Sequence, residues 1–168
     1  WYLPVKGITF DQYVEGLPKV LRKNIPYQTR RLERSFRVEI KLSTGGESLE
    51  ALLQDYEVVY NSSWRSGEAS PEFVRGLARL AARERWLRLS VLYADGVPIA
   101  AQFWIVQGGV GAIYKVCYDE RYAKYSAGTV LTAYMMRRAI EIDKVELIDY
   151  LSGDDAYKKD WMSHRRER

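Results

Sequence analysis

Histidine and cysteine are almost absent from this 168-residue chain, which has one of each, His164 and Cys117. An internal disulfide lacks its second thiol, and one His with one Cys cannot assemble a structural zinc site. No protein metal centre is expected, and a reducing cytoplasm is the natural compartment. Long apolar runs are missing too. The longest, VPIAAQFWIV at 97–106, is about half the ~20 residues needed to cross a bilayer. No charged-then-apolar leader opens the chain. It begins WYLPVKG, without Met and already in an aromatic pattern, so a fragment of a longer protein is expected.

A dense charge of one sign is also lacking. Twenty-six Lys and Arg against 22 Asp and Glu leave +4, which suits an anionic small ligand about as well as a nucleic acid. What is present is apolar and aromatic: 47% hydrophobic residues with 13 Tyr and 5 Trp exclude a disordered chain. The length serves one well-buried core. One domain over 1–168 is expected, with a helical or linker segment at 1–35 and the core at 36–168.

Along the chain, FDQYVEGLPKVLRKN at 10–24 has apolar residues at helical spacing. Pro18 divides it into two short helical pieces, and Pro26 marks the end of the second. TRRLERSFR then reads most simply as a solvated helical face, with contact to phosphates as the alternative. FRVEIKLS at 36–43 alternates as a half-buried strand. Thr44 with Glu47 has the spacing of a capping box for a helix running to about Ser62. Ser70 and Pro71 open another over 71–85, with Phe73, Leu77, Leu80 and Ala81 on its apolar face.

Asp95-Gly96 and Gly108-Gly109 are hairpin turns that separate three apolar runs, giving an antiparallel meander. Its middle run is apolar almost throughout, which places it centrally and puts helices on both faces of the sheet. A helix at 127–143 and a strand at 146–151 complete the order. The fold class is α/β (α+β), a mixed, mainly antiparallel central sheet with helices on both faces.

Two stretches carry candidate chemistry. The turn KYSAGT at 124–129 opens a helix whose free amides suit an anion such as a pyrophosphate, with Ala127 and Gly128 permitting close approach. Against this stands a structural reading in which Ser126 caps the helix and Gly128 packs. DYLSGDDAYKKDW at 149–161 places Asp149 on an apolar strand, where a carboxylate needs a partner. Asp154 and Asp155 are placed to cap a helix carrying Tyr157 and Lys158. That lysine is either solvated or stabilises an oxyanion or phosphate. YNSSW at 60–64 ends a helix with two hydroxyls and an indole that could line a cleft, with core packing the simpler role for Trp64; Cys117 reads as an inert buried thiol and His164 as part of a solvated basic end.

The ordered motifs LRLSVLYADGVPIAA, YKVCYDERYAKYSAGTVL and AIEIDKVELIDYLSGDDAYKKDW together resemble the GNAT-superfamily acyltransferase domain. The similarity is to the branch in cellulose and exopolysaccharide biosynthesis proteins, related to the Fem peptidoglycan aminoacyltransferases. Typical members place Arg or Gln, two residues, then Gly-x-Gly or Gly-x-Ala at this turn. Here Ser126 stands at the first Gly position and Ala123 precedes where Arg or Gln would stand, so Gly128 alone is retained.

The resemblance implies a sheet split by a V-shaped opening. Acetyl-CoA or another acyl-CoA would enter between two strands, with its thioester along Ile113 to Cys117. Val116, Tyr118, Lys124, Ser126, Ala127, Gly128 and Thr129 would bind it, and a small-molecule amine acceptor would approach from the other side. Tyr157 and Lys158 would hold the carbonyl oxygen, an effect on the order of 3 kcal/mol when one such donor is lost. Asp149 or Asp154 would orient or deprotonate the amine, and Tyr118 or Tyr150 would protonate the thiolate. No metal is required. Two other readings are aminoacyl transfer from tRNA, as in Fem proteins, and a non-catalytic interaction module.

Overall fold

The computed structural model describes residues 1–64 and 67–167. Six strands form one sheet: β1 (Tyr2–Pro4), β2 (Val38–Ser43), β3 (Leu87–Ala94), β4 (Val97–Gln107), β5 (Val110–Tyr118) and β6 (Leu147–Asp149). Their spatial order is β1-β6-β5-β4-β3-β2. Every neighbouring pair is antiparallel except β5 and β6, which run parallel. The meander forms as the dipeptides dictate. Asp95, Gly96, Gly108 and Gly109 all have positive φ, the backbone that two-residue hairpin turns require.

Six helices cover the sheet: α1 (Phe10–Gly16), α2 (Lys19–Ser35), α3 (Leu49–Asn61), α4 (Pro71–Arg83), α5 (Ala127–Glu141) and the short α6 (Lys158–Trp161). Two apolar clusters flank the sheet. Leu17, Leu32, Leu131 and Met136 bring α1, α2 and α5 onto one face; Leu53, Tyr56 and Ala78 bring α3 and α4 onto the other. Strand β4 feeds both, Ala100 and Trp104 toward the first and Ala101 and Phe103 toward the second. It is a central strand covered on both sides, as its unbroken apolarity predicts.

Several local expectations are corrected. Helix α2 does not end at Pro26 but continues to Ser35 with the proline inside it. Burial of Gln28 and of Leu32 beyond the proline offsets the one lost helical bond. The Thr44–Glu47 capping box does not form, because α3 begins only at Leu49, with Ser48 at the cap and no side-chain bond there. On α4 the buried face is Val74, Ala78 and Ala81, leaving Phe73 60% and Leu80 40% exposed. The small alanines let the chain pass close: a Cβ on Gly45 would lie 3.1 Å from that of Ala82.

The tail is not a free solvated end. His164 pairs with Tyr2 through two backbone hydrogen bonds, of 2.9 and 3.0 Å, and stacks on its ring at 5.1 Å. Strand β1, which the sequence pattern did not show, is thereby held between β6 and residue 164.

Candidate active site

The parallel pairing of β5 with β6 is short. It joins Val110–Ala112 to Leu147–Asp149 and then stops, because Leu151 takes a left-handed conformation with φ 58° and turns the chain away. Beyond Ala112 the strands diverge, and β5 carries a bulge where Phe103 faces Lys115 and Trp104 faces Ile113. The bulge sets Cys117 against the α3 cluster and Val116 and Tyr118 against the α5 cluster.

The divergence opens a cleft with two mouths. One, of about 440 Å³, faces α5 and is lined by Trp64, Gln102, Tyr118, Gly128, Thr129 and Trp161. The other, of about 400 Å³, is more polar and reaches Tyr114, Lys115, Ser152, Gly153 and Lys158. Val116, Tyr150, Asp155 and Tyr157 line both, so they form the waist.

At the first mouth, a 3-10 turn over Glu120–Tyr125 intervenes between β5 and α5, so the loop does not pass directly from strand to helix. Asp119 caps this turn by accepting the Arg121 amide at 2.9 Å. Its hydrogen bonds and ion pair with the Arg121 guanidinium hold its carboxyl below the usual carboxylate range. Ser126 sits at the α5 cap in the left-handed region, φ 50°, but its side chain makes no capping bond. The first α5 bond runs from the Val130 N–H to the Ser126 carbonyl at 3.2 Å. The amides of Ala127, Gly128 and Thr129 lie ahead of it without helical partners, at the positive end of the dipole. Gly128 keeps Tyr118 close: a Cβ there would stand 3.4 Å from the Tyr118 ring.

Two cations flank this helix start. Lys124 lies over the Tyr125 ring at 5.0 Å. Arg31, from α2, donates to the Lys124 carbonyl at 2.8 Å and lies 5.4 Å from the same ring centre. Arg31 belongs to the segment expected to be a solvated face, and nothing in its local pattern distinguishes it from Arg30 or Arg34. Trp64, expected in the core, is 45% exposed and faces Tyr118 across the first mouth at 4.8 Å.

Beneath the cleft lies a buried polar chain that periodicity does not reveal. The Trp104 indole donates to Gln102 Oε1 at 2.8 Å, and Gln102 Nε2 donates to the Thr132 hydroxyl at 2.6 Å. That hydroxyl donates in turn to the Gly128 carbonyl at 2.8 Å. Tyr150 lies close by, and burial pushes its phenol well above the ordinary tyrosine value. A polar residue at the middle of an apolar strand, Gln102, was the one available signal.

The carboxylates separate. Asp149 is buried; one oxygen accepts the Leu151 amide at 2.7 Å and the other pairs with Arg166. Asp154 turns outward, accepting from the Trp1 indole at 2.7 Å and pairing with Arg165 at 3.0 Å. Neither lines the two mouths. Asp154 and Asp155 do not cap α6 through their side chains. Instead the Asp155 carbonyl accepts the Lys158 amide at 3.0 Å. Lys158 is 5% exposed. Its ammonium donates to the Ser152 and Gly153 carbonyls at 2.7 and 3.4 Å and pairs with Asp155 at 3.1 Å. Tyr157 packs edge-on against Tyr150 at 5.8 Å. Cys117 is buried, its thiol donating to the Ala101 carbonyl. Among the described residues no group of His, Cys, Asp and Glu is arranged to hold a metal ion, and no helix is long and apolar enough to cross a membrane.

Solved structures share this architecture. A conserved protein of unknown function from Bacteroides thetaiotaomicron superposes with a TM-score of 0.59 at 12% identity, over 96% of this chain and 53% of that one. The C-terminal domain of a putative lysylphosphatidylglycerol synthetase from Agrobacterium fabrum gives 0.55 at 9% identity, over 88% and 43%. A possible acetyltransferase from Clostridium difficile gives 0.54 at 12% identity, over 73% and 84%. The chain thus spans about half the length of the first two, and at these identities the likeness is one of fold. A comparison with curated proteins finds no match. The family model described as "Acetyltransferase (GNAT) domain" matches residues 19–159, which include the cleft, the α5 start and the Asp155–Lys158 turn. The chain belongs to the GNAT acetyltransferase domain family.

Proposed function

We propose that this domain transfers an acyl group from an acyl-CoA thioester to an amine by direct attack. The observation that carries the reading is the pair of adjoining cavities left where β5 and β6 part, one of them bounded by Gly128 and Thr129 at the start of α5. The free amides of that start, with Lys124 and Arg31 beside them, suit a pyrophosphate. Val116 and Tyr118 line the apolar path toward the waist, where the thioester carbonyl would lie. The amine enters from the polar mouth.

Tyr150, kept protonated by burial, is placed to give its proton to the departing thiolate. Lys158 holds the turn that carries Tyr157, its ammonium occupied by that turn's carbonyls. Asp149 fixes the strand exit rather than meeting the amine, and Asp154 braces the turn against Trp1. Catalysis then rests on positioning and fixed charge. A place in envelope or exopolysaccharide synthesis is the biological setting proposed, on the strength of the ordered sequence motifs.

Binding tests the reading. Acetyl-CoA or a longer acyl-CoA at about 100 times its dissociation constant should stabilise the fold by roughly 2.7 kcal/mol, measured by thermal denaturation. A folded protein that no acyl-CoA stabilises overturns it. Basic residues along α2 favour a second reading, in which the donor is an aminoacyl-tRNA. Stabilisation by tRNA that falls steeply with salt, without any response to acyl-CoA, selects that one.

A further inference from the structure

We infer that Asp155, rather than either carboxylate paired off beside it, is the group that takes the proton from the acceptor amine. The inference rests on the acyltransfer reading above. Among the described residues that line the two mouths, Asp155 is the single carboxylate, and it lines both. It stands at the waist with Tyr150 and Tyr157, where an amine from the polar side meets an acyl carbon from the other.

The turn is built to present it. Lys158, almost wholly buried, spends its ammonium on the Ser152 and Gly153 carbonyls and on Asp155 Oδ2 at 3.1 Å. That leaves Oδ1 outside the pair while the carboxylate is held in place. Gly153, at φ +91°, leaves room for the arrangement: a Cβ there would lie 3.1 Å from the Lys158 Nζ and 3.5 Å from Asp155 Oδ2. The Asp155 side chain is itself 56% exposed, so it is open to a substrate as Asp149, at 4%, is not.

The step balances without any further reactant. The acceptor ammonium first gives its extra proton to Asp155, and as the freed nitrogen bonds to the thioester carbonyl carbon its second proton passes to water. The carbon–sulfur bond breaks with its electron pair on sulfur, and the Tyr150 phenol protonates that thiolate. Solvent then exchanges the two protons, leaving amide and thiol.

The test measures CoA release from acetyl-CoA with two kinds of acceptor. One is a panel of strongly basic primary amines including ethanolamine and propylamine; the other is methoxyamine, unprotonated at neutral pH. Asp155→Asn should slow transfer to the basic amines by about a hundredfold and to methoxyamine only a few-fold, with the thermal response to acetyl-CoA unchanged. Asp155→Glu should restore part of the difference. Equal loss with both acceptor kinds, or no loss, overturns the assignment while leaving the acyltransfer reading standing. A wild-type protein that binds acetyl-CoA yet transfers to no amine overturns that reading, and this one with it.

Discussion

At the scale of single residues, the site is a set of polar groups whose hydrogen-bond directions are fixed by one another. The Trp104 indole can only donate, so Gln102 must turn its carbonyl toward it and its amide toward Thr132. Thr132 must then donate to Gly128, which ties the cleft floor to the start of α5. Tyr150→Phe should lower kcat by about a hundredfold with little change in acyl-CoA binding and little in stability. Steady-state kinetics beside a denaturant titration separates the two effects. Equal loss of binding and turnover would assign Tyr150 to the donor pocket instead.

At the scale of elements, what decides the site is where strands and helices end. Strand β6 stops because Leu151 is left-handed, and the turn after it survives because Gly153 accepts φ +91°. Gly153→Ala should therefore destabilise the protein by more than about 1 kcal/mol, read from denaturant midpoints. The loop before α5 is a second such end. Asp119→Ala removes its cap and should cost about 1 kcal/mol while weakening acyl-CoA binding, measured by calorimetry.

These ends explain what was legible in the sequence. The meander and the sided helices were readable because hairpin dipeptides and apolar periodicity act locally. The α5 start was readable as a helix opening from Gly128 and its neighbours. Arg31 was not singled out, and Trp64 and Asp155 were named for other roles, core packing and helix capping, since each acquires its place from packing between elements far apart in the chain. The apolar face of α4 was read correctly at Leu77 and Ala81 and wrongly at Phe73 and Leu80, where bulk suggested burial but Val74 and Ala78 turn inward instead.

At the scale of the whole molecule, the fold buries phenols on both sides of its sheet. Tyr13 and Tyr150 on one face and Tyr56 and Tyr93 on the other are all pushed above the ordinary tyrosine value, chiefly by burial. The sign follows from linkage: the folded state holds these protons more tightly than the unfolded one, so stability is fully present below the unfolded value of about 10 and falls as pH rises beyond it. Denaturation midpoints followed from neutral to strongly alkaline pH should decline steadily above about pH 10. A flat profile there would show that water reaches these phenols.

The three-residue seam between β5 and β6 has a mechanical meaning as well. Everything from Tyr118 to Leu147 must be wound and docked before the seam can close, so the cleft is bounded by contacts distant in sequence and few in number. A ligand gripping both walls serves there as a non-covalent suture across one of the two shortest seams of the sheet. Amide exchange in β6 and in residues 151–157 should slow on binding far more than in the central meander, which is already held on both edges.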